Sequence, residues 1–189
     1  GVVLYESIPM NWWSNSIETL PDNSSSGITQ ELHGEGRIFV LTATRNSAGY
    51  ILNSDKQSLL IVPGVELRSA AGMPLNCGTF SLSTNARCLV IVANKRFVWI
   101  EGAFSNINPG GPADSNITVL GSSHVHIDKV VSQFARWSGL GLYTSRNIII
   151  RDSQFSQNRY GVYSQFAEQN LYWNVSATSN SENGIYLRG

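Results

Sequence analysis

The sequence predicts an all-β solenoid, in which short strands wind around one axis and each coil rests on the one before. Three observations predict it. The first is a repeat. Gly161 and Gly184 each open a "G-apolar-Tyr" unit, "GVY" and "GIY", 23 positions apart, and Asn147 and Asn170 each open an apolar run at the same spacing. The second is alternation: Val125 with Ile127, Ile148 with Ile150 and Leu171 with Trp173 follow the strand period, so each pair shares a face. The third is punctuation by Asn, Ser and Gly, with no apolar residues at helical spacing over ten or more positions. Such a coil cannot bury its apolar face alone. Stacked in parallel, coils bury a continuous inner column and satisfy one another's backbone groups. The architecture expected is a parallel β-helix.

Residues 1–36 read as irregular, with turn formers clustered in "PDNSSSG" and loop-like "NWWSN". "RIFVLTA" at 37–43 is a first strand, and "SLLIVPGVELRS" at 58–69 gives two more, broken at Pro63-Gly64. Residues 70–86 are an excursion rich in Gly, Pro and Asn, after which "RCLVIVA" at 87–93 resumes strand character. From residue 96 the repeat is regular. The expected division is therefore an N-terminal cap with a first strand over 1–57 and coils over 58–189. A chain that opens on Gly1 and stops just after "GIYLR" reads as a segment of a longer helix whose last coil presents an open sheet edge.

Composition narrows the function classes. Thirteen Lys and Arg balance thirteen Asp and Glu, and only 14% of residues are charged. No basic run exists, so nucleic acid is not an expected partner, and no apolar run approaches a membrane span. Two cysteines, Cys77 and Cys88, either close the excursion with a disulfide, as in an oxidising compartment, or are two buried thiols. Sequons at Asn23, Asn116 and Asn174 carry little weight in a chain so rich in Ser and Asn.

The repeat units also carry a family resemblance. "DSNITVLGSSHVHIDKVVSQF" at 114–134, followed by "RNIIIRDSQF", resembles the coils of the right-handed β-helix superfamily that includes the pectate lyases. "SSHVHID" is similar to the lyases' "SSNVWIDH" pattern, and "VWIEGAFSN" and "NSENGIY" are similar to the generic repeat that NosD-like proteins share. The resemblance covers roughly residues 58–189 and implies a single-stranded right-handed parallel β-helix. It implies calcium as a cofactor, yet no Asp-rich cluster matches, and Lys129 stands where the lyase motif has His. The polygalacturonase signatures are absent too, so neither activity transfers residue by residue.

Aligning coils by their inward pairs, Val98/Ile100, Val125/Ile127, Ile148/Ile150 and Leu171/Trp173, defines two outward columns. One is Trp99, His126, Ile149 and Tyr172; the other is Glu101, Asp128, Arg151 and Asn174. Neighbouring coils lie about 4.8 Å apart. Glu101, Asp128 and Arg151 are thus the candidate catalytic residues: the two carboxylates are suited by spacing to glycoside chemistry, Arg151 is suited to hold a sugar carboxylate, and a lyase would use Arg151, Lys129 or Tyr172 as base or acid. Trp99, His126, Tyr172 and Lys129 are the matching substrate-binding candidates. The competing interpretation is a solvated ladder of surface charges. His124 and His126 share a strand face but have no third metal ligand at a telling spacing. Asn147 and Asn170 suit an asparagine ladder, and Tyr143, Tyr163 and Tyr186 suit an aromatic stack or a sugar platform, with Arg159, Tyr160 and Glu182 on its rim. Two functions follow: a secreted or cell-surface protein acting on an acidic polysaccharide as lyase, hydrolase or epimerase, or a non-catalytic β-helix such as an adhesin, a surface repeat protein or a viral tail-spike stem. A periplasmic NosD-like accessory protein is a third.

Overall fold

A computed structural model describes residues 16–24, 27–69, 86–106 and 113–189. Among these residues the chain is all β, wound into a parallel solenoid of about 6 turns. A first partial coil contributes β1 (Ile17–Thr19) and β2 (Gln30–Leu32). Then come β3 (Ile38–Leu41), β4 (Arg45–Ser47) and β5 (Tyr50–Leu52), followed by β6 (Ser58–Ile61), β7 (Glu66–Ser69) and β8 (Cys88–Ala93). Two coils fuse their first strands: β9 (Trp99–Asn106) with β10 (Ser115–Leu120), and β11 (Ser123–Gln133) with β12 (Ser138–Tyr143). The last two coils are β13 (Arg146–Arg151), β14 (Gln154–Ser156) and β15 (Tyr160–Gln165), then β16 (Leu171–Trp173), β17 (Ser176–Thr178) and β18 (Asn183–Arg188).

Strands of the same rank stack into two sheets. The first sheet has the order β1-β3-β6-β9-β11-β13-β16, with β4, β7, β14 and β17 alongside the second halves of β9 and β11. The second has the order β18-β15-β12-β10-β8-β5-β2. Coil stacking already includes β1 to β5, upstream of residue 58, since β1 pairs with β3 and β3 with β6. Among the described residues no helix is long and apolar enough to cross a membrane.

The repeat arises at the corners. Residues in the left-handed region recur in columns: Phe97, His124, Asn147 and Gln169; Asn94, Gly121, Thr144 and Phe166; Lys129, Asp152 and Asn174; Phe134, Gln157 and Ser179. Each column turns the chain at the same place in every coil. Between corners the strands alternate, and Phe39, Leu59, Ile100, Ile127 and Ile150 stack in register inside the tube, buried on every side. Each such side chain contributes about 1.5–3 kcal/mol of burial.

The corner columns also expose a slip. From β13 to β16 the step is 22 residues, because Asn147 is matched in the left-handed column by Gln169 and not by Asn170. Ile150 therefore pairs with Tyr172, and Arg151 with Trp173. Since a one-residue shift reverses the faces of a strand, the expected inward pair Leu171/Trp173 points outward, at 52% and 64% exposure, and Tyr172 packs on the core. One residue more in the turn before β18 restores the 23-residue step, so Tyr163 pairs with Tyr186 as the repeat implied.

Buried polar groups are tied coil to coil. Asn158 Oδ1 accepts from the Ala135 amide at 2.9 Å, and Asn180 Oδ1 accepts from the Asn158 amide at 3.0 Å. The asparagine ladder is thus at Asn158 and Asn180; Asn170 makes one comparable bond, accepting from the Ile148 amide at 3.1 Å. The sequon residue Asn116 is buried and donates to Ser132 Oγ and the Gln133 carbonyl. Cys88 is disulfide-bonded, and Cys77, the other cysteine of the sequence, lies outside the described residues.

Candidate functional site

The outer face of the first sheet changes character along the stack. At its N-terminal end it is apolar: Ile38, Val40, Leu60 and Trp99 form a buried cluster of their own outside the tube. It becomes charged within the coil of Trp99, from Glu101 onward. Glu101 pairs in register with Asp128, and Asp128 with Arg151, so three residues far apart in the sequence form consecutive rungs. The loop between β9 and β10 does not disturb this adjacency.

A bulge places the next side chain. Between Asp128 and Val130 the register of β11 against β9 shifts by one, leaving Lys129 as the extra residue, with φ at 47°. Its ammonium reaches back to Glu101 Oε1 at 3.7 Å. Arg151 grips Asp128 side-on, Nε to Oδ1 at 3.0 Å and Nη2 to Oδ2 at 2.8 Å. The Trp99 indole donates to Glu101 Oε2 at 3.4 Å, and its ring lies under the imidazole of His126, centroids 4.9 Å apart and planes 20° from parallel.

Burial sorts these residues into two layers. Asp128 is 1% exposed, Glu101 6% and Trp99 2%. The Arg151, Lys129 and His126 side chains beside them reach further into solvent, with Arg151 at 44% and Lys129 at 53%. Burial holds the His126 pKa below its ordinary value, and the nearby Arg151 charge acts in the same direction. The imidazole is therefore neutral near pH 7. The hydrogen bonds it donates to Asp128 raise the Arg151 pKa, so its charge is permanent.

Six of the seven predicted site residues, Glu101, Asp128, Arg151, Trp99, His126 and Lys129, are thus neighbours on one face. Tyr172 is not among them. It lies on the inner side of β16, and burial raises its phenol pKa, with the Ser164 hydroxyl acting in the opposite direction. Its expected place in the outer column is taken by Leu171. Asn174 is likewise replaced, by Trp173, and sits at the corner, donating to Asp152 Oδ1 at 2.7 Å.

The second sheet carries an aromatic ladder on its outer face. Tyr163 and Tyr186 stack at 5.3 Å, and Trp137 and Tyr160 pack beside them. Tyr143 is register partner to Gln165, not Tyr163, but its ring folds back over Gly141, where a Cβ would meet it at 2.8 Å. Tyr143 therefore joins the ladder through its side chain, and burial pushes its phenol up to about 12. Arg159 lies 4.4 Å above the Trp137 ring and pairs with Glu182 at 2.6 Å, while the Tyr160 hydroxyl also bonds Glu182. The contribution of Trp137 had no sequence signal, since it stands outside the repeated triplet.

A family model described as periplasmic copper-binding protein (NosD) matches residues 51–189. The chain belongs to the NosD family. No curated protein and no solved structure matches it. A family described as periplasmic agrees with a place in the cell envelope, and the disulfide at Cys88 suits such an oxidising compartment.

The described residues of this NosD-family chain do not fit a copper centre. Copper favours imidazole, thiolate and thioether donors. Among the described residues no three His, Cys, Asp or Glu side chains converge on one point, for copper or for calcium. His124 packs against Phe97, His126 stacks on Trp99, His33 faces Glu31, and Cys88 is oxidised. Met10, Met73 and Cys77 lie outside the described residues.

Proposed function

We propose that this chain binds an acidic polysaccharide on the outer face of the first sheet, with Arg151, Lys129 and His126 meeting the ligand and Asp128, Glu101 and Trp99 holding them from beneath. The observation that carries this is the layering: the carboxylates are buried and engaged, while the cations they hold are half-exposed. Arg151 uses one edge of its guanidinium on Asp128, and the Nε on that edge also lies 3.7 Å from Asp152 Oδ2. The end-on edge, with Nη1, remains for a second carboxylate, which a planar fork can take bidentately. A glycosidase acid must reach the glycosidic oxygen, and at 1% exposure Asp128 does not. This favours recognition over hydrolysis by a carboxylate pair.

The test is a calorimetric titration of the full chain with oligomers of galacturonate, mannuronate/guluronate and hyaluronan. Arg151→Gln and Lys129→Gln are each expected to weaken the best ligand about tenfold or more. Arg151→Lys serves as the charge-preserving companion and is expected to lose most of the same affinity, because an ammonium lacks the fork. Wild-type affinity in all three variants would end the proposal.

A second reading, uronate β-elimination, is favoured by the neutral state of His126. In that reaction His126 takes the proton at C5, the electron pair forms the C4–C5 double bond, and the C4–O bond breaks. The departing oxygen takes a proton from Lys129. Absorbance from an unsaturated product, abolished in His126→Gln, is its signature, and binding without that absorbance excludes it.

A further inference from the structure

We propose that the notch between Arg96 and Arg146, on the turns leading from the second sheet into the first, is a subsite for a carboxylated sugar unit. This rests on the acidic-glycan reading and adds a location and a ligand chemistry to it. Four stacked turns build the notch: Asn94–Phe97, Gly121–His124, Thr144–Asn147 and Phe166–Gln169, each bounded by residues in the left-handed region. Their third residues, Arg96, Ser123, Arg146 and Glu168, fall into one column through the bridges Arg96–Ser123 and Arg146–Glu168. The turn with the smallest side chains, Gly121-Ser122-Ser123, sits between two turns that carry arginine. The result is a concavity of about 540 Å³. The two arginines are two coils apart, about 9.6 Å between backbones, which leaves room for one sugar ring.

The lining is chemically mixed in a way that matches a sugar acid. Arg96 is shared with Asp55 at 3.6 Å. Arg146 and Lys95 have no carboxylate within ion-pair distance among the described residues, so both are available to a ligand carboxylate. The hydroxyls of Ser122 and Ser145 are spent on coil-to-coil bonds. Those of Ser123 and Thr144 make no such bond among the described residues, and with Glu168 they offer donors and acceptors to ring hydroxyls. Phe166, 54% exposed, supplies an apolar wall for a sugar face. A bare anion would use the cations but leave Phe166 idle and face the Glu168 charge. Ser123 also opens β11, the strand that carries Asp128 and Lys129, so one glycan chain lying along that strand meets both places.

The experiment is a titration of the full chain with trigalacturonate, with its neutral galactose counterpart and with inorganic phosphate, read by calorimetry and by the NMR shifts of the Ser123 and Arg146 amides. Trigalacturonate is expected to shift both amides. Arg146→Gln and Lys95→Gln, both on solvent-accessible turns, are expected to weaken it roughly tenfold, and the neutral trimer and phosphate are expected to bind much more weakly. Unchanged affinity in both variants overturns the subsite, as does phosphate binding as tightly as the sugar acid. If Arg151→Gln loses binding while Arg146→Gln does not, the notch falls and the first-sheet reading stands. If wild type binds no uronate at all, both fall.

Discussion

Asp128 is gripped by Arg151 on one side of the charged cluster, and Glu101 is held by Lys129 and Trp99 on the other. Removing one partner of a buried, hydrogen-bonded charge leaves the other's needs unmet. Asp128→Asn is expected to lower stability by about 1–3 kcal/mol, a figure kept below that of a fully buried pair because Arg151 is partly in water. Urea denaturation measures it, and an unchanged midpoint would show that the pair is a surface ornament. His126 gives a pH signature. Its folded pKa is depressed, so the unfolded chain takes up the proton first as pH falls below 6.5. The stability this contributes is present above that pH and is lost as pH falls through the folded pKa. His126→Gln is expected to flatten that limb in denaturation curves taken from pH 7 to pH 5; an identical slope in the variant contradicts the burial argument.

At the level of elements, Gly102 and Asn158 decide how coils fit. Gly102 has φ at 123°, and a Cβ there would lie 2.3 Å from Ile61 Cβ. Gly102→Ala is expected to cost at least ~1–3 kcal/mol in the same denaturation assay. Asn158 donates to the Ser132 carbonyl at 3.1 Å as well as accepting from Ala135. Asn158→Ala is expected to strip hydrogen-exchange protection from the Ala135 amide while leaving that of Ile127 intact. The strands themselves were legible, because alternation and turn formers are local signals: Val125/Ile127 and Ile148/Ile150 face inward as their pattern implies. The last coil departs from its letters for a physical reason. Asn170 repeats the letter of Asn147, but the left-handed corner is set by backbone geometry, and Gln169 occupies it. Tyr172, with an apolar ring and a polar tip, suits either face of β16 by composition alone.

For the molecule as a whole, stacking turns letters into columns, and this made most of the charged cluster readable in advance: Glu101, Asp128 and Arg151 are consecutive rungs. Burial was not readable, since nothing in the sequence says that the outer face of the first sheet is closed over Trp99 and Asp128. The aromatic ladder was legible only through its repeated tyrosines. Its pH behaviour follows from burial: with the Tyr143 phenol near 12 against an ordinary 10.0, the stability it contributes is full below pH 10 and fades as pH rises toward 12. Tyr143→Phe is expected to remove that part of the alkaline loss in thermal unfolding scans between pH 9 and pH 12. The proposal that half-exposed cations, held by buried carboxylates, make the first sheet a surface for acidic glycans has a direct structural consequence. A crystal structure of the chain with a uronate oligomer tests it most directly. A ligand carboxylate is expected on the end-on edge of Arg151 at about 2.7–3.0 Å, with Lys129 and His126 alongside; an oligomer lying instead on the Tyr163 and Tyr186 ladder, with Arg151 untouched, would rule the proposal out.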